Sequence, residues 1–198
     1  MSDRQTLRAL AGLPLAPASL AESALVLIDC QNTYTRGVME LEGVQAALDE
    51  AATLLDRART AGIPVIHIQH DDGPGSLYDI AGESGAIVDR VAPRDGEPVV
   101  VKNYPNSFVN TELDGILKSV DASNLVLAGF MTHMCVNSTA RGAFNLGYAP
   151  TVVAAATATR TLPGVDGEVP AAALHSASLA AVADLFAVVV PGEKDIPG

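Results

Sequence analysis

The sequence predicts an α/β protein built on an open parallel sheet. Three observations carry that expectation. Six short apolar, partly β-branched runs recur at wide spacing, at 24–28, 63–68, 98–101, 125–128, 151–155 and 186–190. Most are apolar throughout rather than alternating, which marks strands buried on both faces. Helical periodicity fills the gaps between them, and strands alternating with helices imply βαβ units with right-handed crossovers.

Each element has its own warrant. The first run, Ala24-Leu25-Val26-Leu27-Ile28, ends at Asp29. Val44, Leu48, Ala51, Leu54, Leu55 and Ala58 then mark the apolar stripe of a helix. Gly62-Ile63-Pro64 stops that helix where the second run begins. The stretch 71–97 opens with Asp71-Asp72-Gly73-Pro74-Gly75 and is mostly irregular. Loops of that size in compact domains usually serve a site or a partner contact. The third run ends at Lys102, and Leu113, Ile116 and Leu117 mark a second helix. The fourth run ends at Gly129, six residues before Cys135. Val136, Ala140, Ala143 and Phe144 give a third helix, closed by Gly147. Leu174, Leu179, Val182 and Leu185 give a fourth, ahead of the last run. No linker, repeat or low-complexity tract interrupts this order. One domain over 1–198, with an N-terminal arm over 1–20, is expected.

Composition sets outer bounds. About half of the 198 residues are apolar, enough for a sizeable core. The formal charge of −11 argues against nucleic acid and anionic membranes as partners. Cys30 and Cys135 are too few for a disulfide framework, which suits a reducing cytoplasm. No apolar run reaches the ~18 residues of a membrane span. Arg4 and Arg8 precede an Ala/Leu-rich stretch loosely like a signal peptide, but Pro14 and Pro17 interrupt it. A cytoplasmic protein acting on a small molecule is the expectation.

In open α/β sheets, ligands bind outside the carboxyl ends of the strands. Asp29, Lys102 and Cys135 all emerge at that edge. Singly, each has a plain structural reading: a turn residue, a solvated charge, a small core side chain. Together their chemistry is coherent. A cysteine at the start of a helix is favoured as the thiolate, the form that attacks a carbonyl carbon. Lys102 would stabilise thiolate and carboxylate alike. Asp29 could take the thiol proton and hand it to a leaving amine. Backbone N–H groups of the turn before Cys135 are candidates for an oxyanion hole.

Three segments sharpen the reading. Leu27-Ile28-Asp29-Cys30-Gln31-Asn32, Lys102-Asn103-Tyr104-Pro105-Asn106-Ser107-Phe108 and Gly129-Phe130-Met131-Thr132-His133-Met134-Cys135-Val136 resemble the motifs of the isochorismatase-like cysteine hydrolases. The resemblance runs from about residue 24 to 190. It implies a three-layer, Rossmann-like α/β/α fold with a six-stranded, mostly parallel sheet. It also implies an Asp29–Lys102–Cys135 catalytic triad and a cis peptide between Phe130 and Met131. The N–H groups of Met131 and Cys135 would then face the oxyanion. Members commonly form homo-oligomers, so a dimer or tetramer is expected.

Departures from the family pattern carry information too. Nicotinamidases hold an Asp/His metal cluster beside the triad; Ile68-Gln69-His70-Asp71-Asp72-Gly73 does not reproduce it. His70 and Asp72 alone fall short of the three or four ligands zinc takes, so no metal is expected. Many relatives carry an Asp near Ala155; its loss is read as local. Isochorismatases proper hydrolyse a vinyl ether without needing the thiol, so Cys135 favours the amidase branch.

Tyr34 stands where relatives place a pocket aromatic. Asn106, Phe108 and His133 are further pocket candidates. Gln31 and Asn32 are expected to hold the Asp29 loop by hydrogen bonds. His175 and Cys30 are read as structural. No glycine pattern follows the first strand, so no nucleotide cofactor is expected, nor any other. The sequence thus predicts a cysteine hydrolase of a small carboxamide, ureido compound or imide. A vinyl-ether hydrolase and a catalytically silent binding relative are the alternatives.

Overall fold

The computed structural model describes residues 4–198, and the first three residues of the expected N-terminal arm lie outside the described part. In chain order the elements are α1 (Leu7–Leu10), β1 (Ser23–Ile28), α2 (Val44–Ala61), β2 (Val65–His70), β3 (Val99–Lys102), α3 (Leu113–Ser119), β4 (Asn124–Phe130), α4 (Asn137–Asn145), β5 (Ala149–Ala158), β6 (Leu162–Gly164), β7 (Gly167–Val169), α5 (Ala171–Ala183) and β8 (Val188–Val190). Six strands form one sheet in the order β3-β2-β1-β4-β5-β8. Every neighbouring pair is parallel, so the sheet is parallel throughout rather than mostly.

Two apolar layers enclose this sheet, giving the three-layer α/β/α fold. On one side the α2 stripe packs on Leu25, Leu27, Val126, Ala128 and Val153. On the other, Leu113 and Leu117 of α3, Ala140 and Ala143 of α4 and Val182 of α5 pack on Val26, Ile28, Leu125 and Leu127. All six residues of β1 are buried, as a strand covered on both faces must be. The edge strand β3 instead alternates: Val99 and Val101 are exposed while Val100 and Lys102 are buried.

The chain runs from β1 outward to β2 and β3, then returns to lay β4 on the other flank of β1. The order therefore reverses between β1 and β4. That switch point opens a crevice at the carboxyl edge, where ligands bind in such sheets.

The β6–β7 hairpin escaped the sequence reading. Its strands have three residues each, and Leu162-Pro163-Gly164 contains two residues disfavoured in strands. The strand β5 runs longer than the 151–155 expected, because a register shift lets its last residues pair with the end of β4. The 71–97 stretch is irregular but anchored. Val88 N–H donates to the Cys30 carbonyl (2.9 Å), Asn32 N–H to that of Ala86 (2.9 Å) and Thr33 N–H to that of Ser84 (2.8 Å).

Candidate active site

Asp29 is the first residue after β1, with φ +49°. Non-glycine residues visit this left-handed region rarely, and they cluster at functional sites. Here the turn carries the Asp29 side chain into the crevice, where it is fully buried. Across the switch point, β4 pairs Gly129 with Ile28. A cis peptide joins Phe130 to Met131. Residues Thr132–Val136 follow as a π-helical turn, held by the N–H groups of Met134 and Val136 donating to the Met131 carbonyl (3.0 and 3.3 Å). Such turns recur at functional sites. Cys135 therefore sits in a wide turn ahead of α4, not at its first residue.

Lys102, the last residue of β3, is buried and reaches across β2 to the crevice. Its Nζ lies 2.7 Å from Asp29 Oδ2, 3.5 Å from Cys135 Sγ and 2.9 Å from His70 Nδ1. The Asp29 contact has ion-pair distance, yet neither Asp29 oxygen meets a donor at good hydrogen-bond angles. Charge rather than alignment dominates this contact.

Burial dominates the protonation of this cluster. It raises the Asp29 carboxyl above the ordinary range, against the pull of Lys102. Burial first, then the Asp29 charge, pushes the Cys135 thiol up; Lys102 opposes without reversing it. Burial thus works against the thiolate expected from a helix start. The low dielectric outweighs what the turn's N–H groups and one ammonium supply. Burial thus favours the thiol form of Cys135, next to the Asp29 carboxyl.

The predicted surrounding residues divide. Gln31 is buried; its side chain donates to the carbonyls of His70 (2.9 Å) and Gly85 (2.8 Å) and accepts from His70 N–H (2.9 Å). It ties β1, β2 and the long loop together. Asn32 donates to the Glu83 carbonyl (3.0 Å), which fixes the same loop. Tyr34 is buried edge-on against Phe130 (5.7 Å between centroids) and Tyr78 (5.8 Å). His133 Nδ1 lies 2.6 Å from Thr159 Oγ1, and burial, reinforced by Arg160, lowers its pKa. His175 Nδ1 pairs with Thr132 Oγ1 (3.0 Å), bracing α5 against the π-helical turn.

Asn106 and Phe108, the other pocket candidates, make their described contacts with α4 and Tyr148. The Asn106 carboxamide accepts from Phe108 N–H (3.0 Å) and packs so tightly on Gly142 that a Cβ there would lie 2.5 Å from Oδ1. It closes a turn against α4. Phe108 stacks on Tyr148 (5.7 Å, 20°), beyond the end of α4 opposite Cys135. Tyr148, between α4 and β5, holds the half-buried Phe108 against the core, which spacing from Lys102 could not reveal.

Sequence reasoning did not place His70 and Tyr78 beside Asp29, Lys102 and Cys135. His70 Nδ1 contacts Lys102, its Nε2 lies 3.0 Å from Asp72 Oδ1, and its ring meets Tyr78 edge-on at 4.9 Å. The available signal was parity: His70 ends β2 at the same sheet edge as Lys102, with which it is in register. Among the described residues, no three His, Cys, Asp or Glu side chains converge as a metal ion would require.

The isochorismatase domain family matches residues 23–194. A secreted isochorismatase effector, Isc1, of Verticillium dahliae is 36% identical over 190 residues, covering 96% of this chain and 97% of that protein. A ureidoacrylate amidohydrolase, RutB, of Azorhizobium caulinodans is 31% identical over 176 residues, with 69% and 78% covered. The crystal structure of an isochorismatase from Pseudomonas putida superposes with a TM-score of 0.92 at 39% identity, over 95% of this chain and 97% of that one.

Proposed function

The chain belongs to the isochorismatase family of hydrolases, and on that premise we propose that it cleaves a C–N bond in a small carboxamide, ureido compound or imide through a Cys135 thioester. One observation carries the reading. A buried thiol and a buried carboxylate share one ammonium, with Nζ 3.5 Å from the sulfur and 2.7 Å from the oxygen. The amidohydrolase relative supports the choice of bond.

In this mechanism Asp29 takes the Cys135 proton as Sγ adds to the substrate carbonyl carbon. The developing oxyanion is assigned to the Met131 and Cys135 N–H groups. Asp29 returns the proton to the leaving nitrogen, the C–N bond breaks, and amine or ammonia departs. Water then adds to the thioester carbon and gives its proton to Asp29. The C–S bond breaks, the acid leaves, and the sulfur recovers the proton. Lys102 stabilises negative charge wherever it stands along this path, on sulfur or carboxylate.

The test is ammonia or amine release from a panel of small amides, ureido acids and imides, with the acyl-enzyme trapped by intact mass spectrometry. Activity lost in Cys135→Ala, together with a matching mass increment on Cys135, supports the reading. Undiminished turnover in that variant ends it.

A second reading is vinyl-ether hydrolysis of isochorismate, favoured by the name of the Verticillium relative. It predicts pyruvate release that survives Cys135→Ala.

A further inference from the structure

We propose that His70 is a positioning residue for this site: locked by Asp72, its ring engages one N–H of Lys102 and so aims the ammonium at Asp29 and Cys135. This rests on the thioester reading above for its catalytic meaning, but the geometry stands on its own.

An ammonium has three N–H donors and no acceptor. Three groups surround Lys102 Nζ: Asp29 Oδ2 as ion-pair partner at 2.7 Å, and His70 Nδ1 and Cys135 Sγ at hydrogen-bond distance. A contact of 2.9 Å from Nζ to Nδ1 requires a lone pair on that nitrogen. With the lysine as donor, the geometry assigns the His70 ring proton to Nε2, which faces Asp72 Oδ1 at 3.0 Å. A carboxylate thus selects the tautomer, and the tautomer supplies the acceptor. The ring has little freedom to move. Gln31 holds the His70 backbone at both its N–H and its carbonyl, and Tyr78 packs against the ring.

Remove the acceptor, and the buried ammonium has one N–H without a partner. It is then free to turn about its Cε–Nζ bond and to drift from the sulfur. The charge remains, but its direction is lost. A misdirected ammonium stabilises less of the charge that builds on sulfur, so kcat falls more than substrate binding does.

The experiment compares His70→Leu, which removes the acceptor, with His70→Asn, whose Oδ1 stands near the place of Nδ1. Each is measured for kcat and KM, and for the pH dependence of Cys135 alkylation by iodoacetamide, which needs no substrate. In His70→Leu, kcat is expected to fall about 10–100-fold, the usual scale for a lost supporting contact, with KM little changed. Its alkylation profile is expected to move to higher pH. His70→Asn should recover most of both. Should the leucine variant not fold, Asp72→Ala, at a half-exposed position, should shift the alkylation profile the same way by less. Identical alkylation profiles in wild type and whichever of these variants folds would overturn the proposal, as would equal kcat losses in the leucine and asparagine variants. Failure of the thioester reading shows separately, as turnover that survives Cys135→Ala, while the alkylation profile still reports on His70.

Discussion

Gly129 lies against Ile28 so closely that a Cβ on the glycine would stand 2.0 Å from the Ile28 carbonyl oxygen. Its φ is +115°, a conformation that side chains rarely adopt. These two residues are register partners at the ends of β4 and β1. The chain leaves them for Cys135 on one side and Asp29 on the other, so their approach sets the distance between the proposed nucleophile and base. Gly129→Ala is expected to cost roughly 3–5 kcal/mol of stability, the scale of backbone clash in a packed core. Chemical denaturation would measure the loss, and hydrolysis by the surviving folded fraction should also fall.

Replacing Asp29 tests the proton path alone. Asp29→Asn keeps the shape but cannot accept the thiol proton. Turnover is expected to drop about 10²–10⁴-fold, the range for a lost general base, with KM nearly constant. Steady-state kinetics on any substrate found in the amide panel would decide it.

The resting state of Cys135 has a chemical signature. Burial and the Asp29 charge raise its pKa, so without substrate it should alkylate more slowly at pH 7 than a free cysteine does. Iodoacetamide kinetics followed by peptide mass spectrometry give the rate; faster alkylation would mean a resting thiolate.

Acid should weaken the fold from the opposite edge of the sheet. There Glu97 takes both Arg59 Nε and Nη2 at 2.8 Å and lies 3.0 Å from His67 Nε2. Arg59 holds the Glu97 carboxyl down at about 2, from an ordinary 4.5. The native state resists protonation there while the unfolded chain accepts it. This contribution is whole above pH 4.5 and is lost as pH falls toward 2. Burial lowers the His67 pKa from 6.5, so its contribution begins to fade as pH drops below 6.5. Melting temperature against pH should decline through both windows, and Glu97→Gln should flatten the lower one.

Phe108 and Tyr78 should respond oppositely. Phe108→Leu, in the stack on Tyr148, is expected to cost about 1 kcal/mol of stability and leave KM unchanged. Tyr78→Leu, beside His70 and Tyr34, should alter KM or kcat with little loss of melting temperature. Melting curves and kinetics on both variants make the contrast.

The sheet was readable because continuous apolar runs such as 24–28 and 125–128 have few alternatives to a doubly covered strand. The three reacting groups were readable from one rule about strand ends, joined to the segment resemblance. What stayed hidden is sideways packing. Nothing in the spacing of Asn106 from Lys102 says that Gly142, on another element, leaves a slot for its carboxamide. Nothing in His70 alone says that Lys102 lies in register beside it. The thiol's protonation depends on both levels: the helix start is local and visible in sequence, whereas the dielectric around it is set by the whole fold.

The lysine comes from the outermost rung of the sheet, since among the described residues β3 pairs with β2 alone. Every other sheet strand between β2 and β5 is gripped from both flanks. Fraying of that border would withdraw the cation while leaving sulfur and acid in place. Substitutions at the outward-facing Val99, three residues before Lys102 on the exposed face, are thus a means of throttling turnover mechanically.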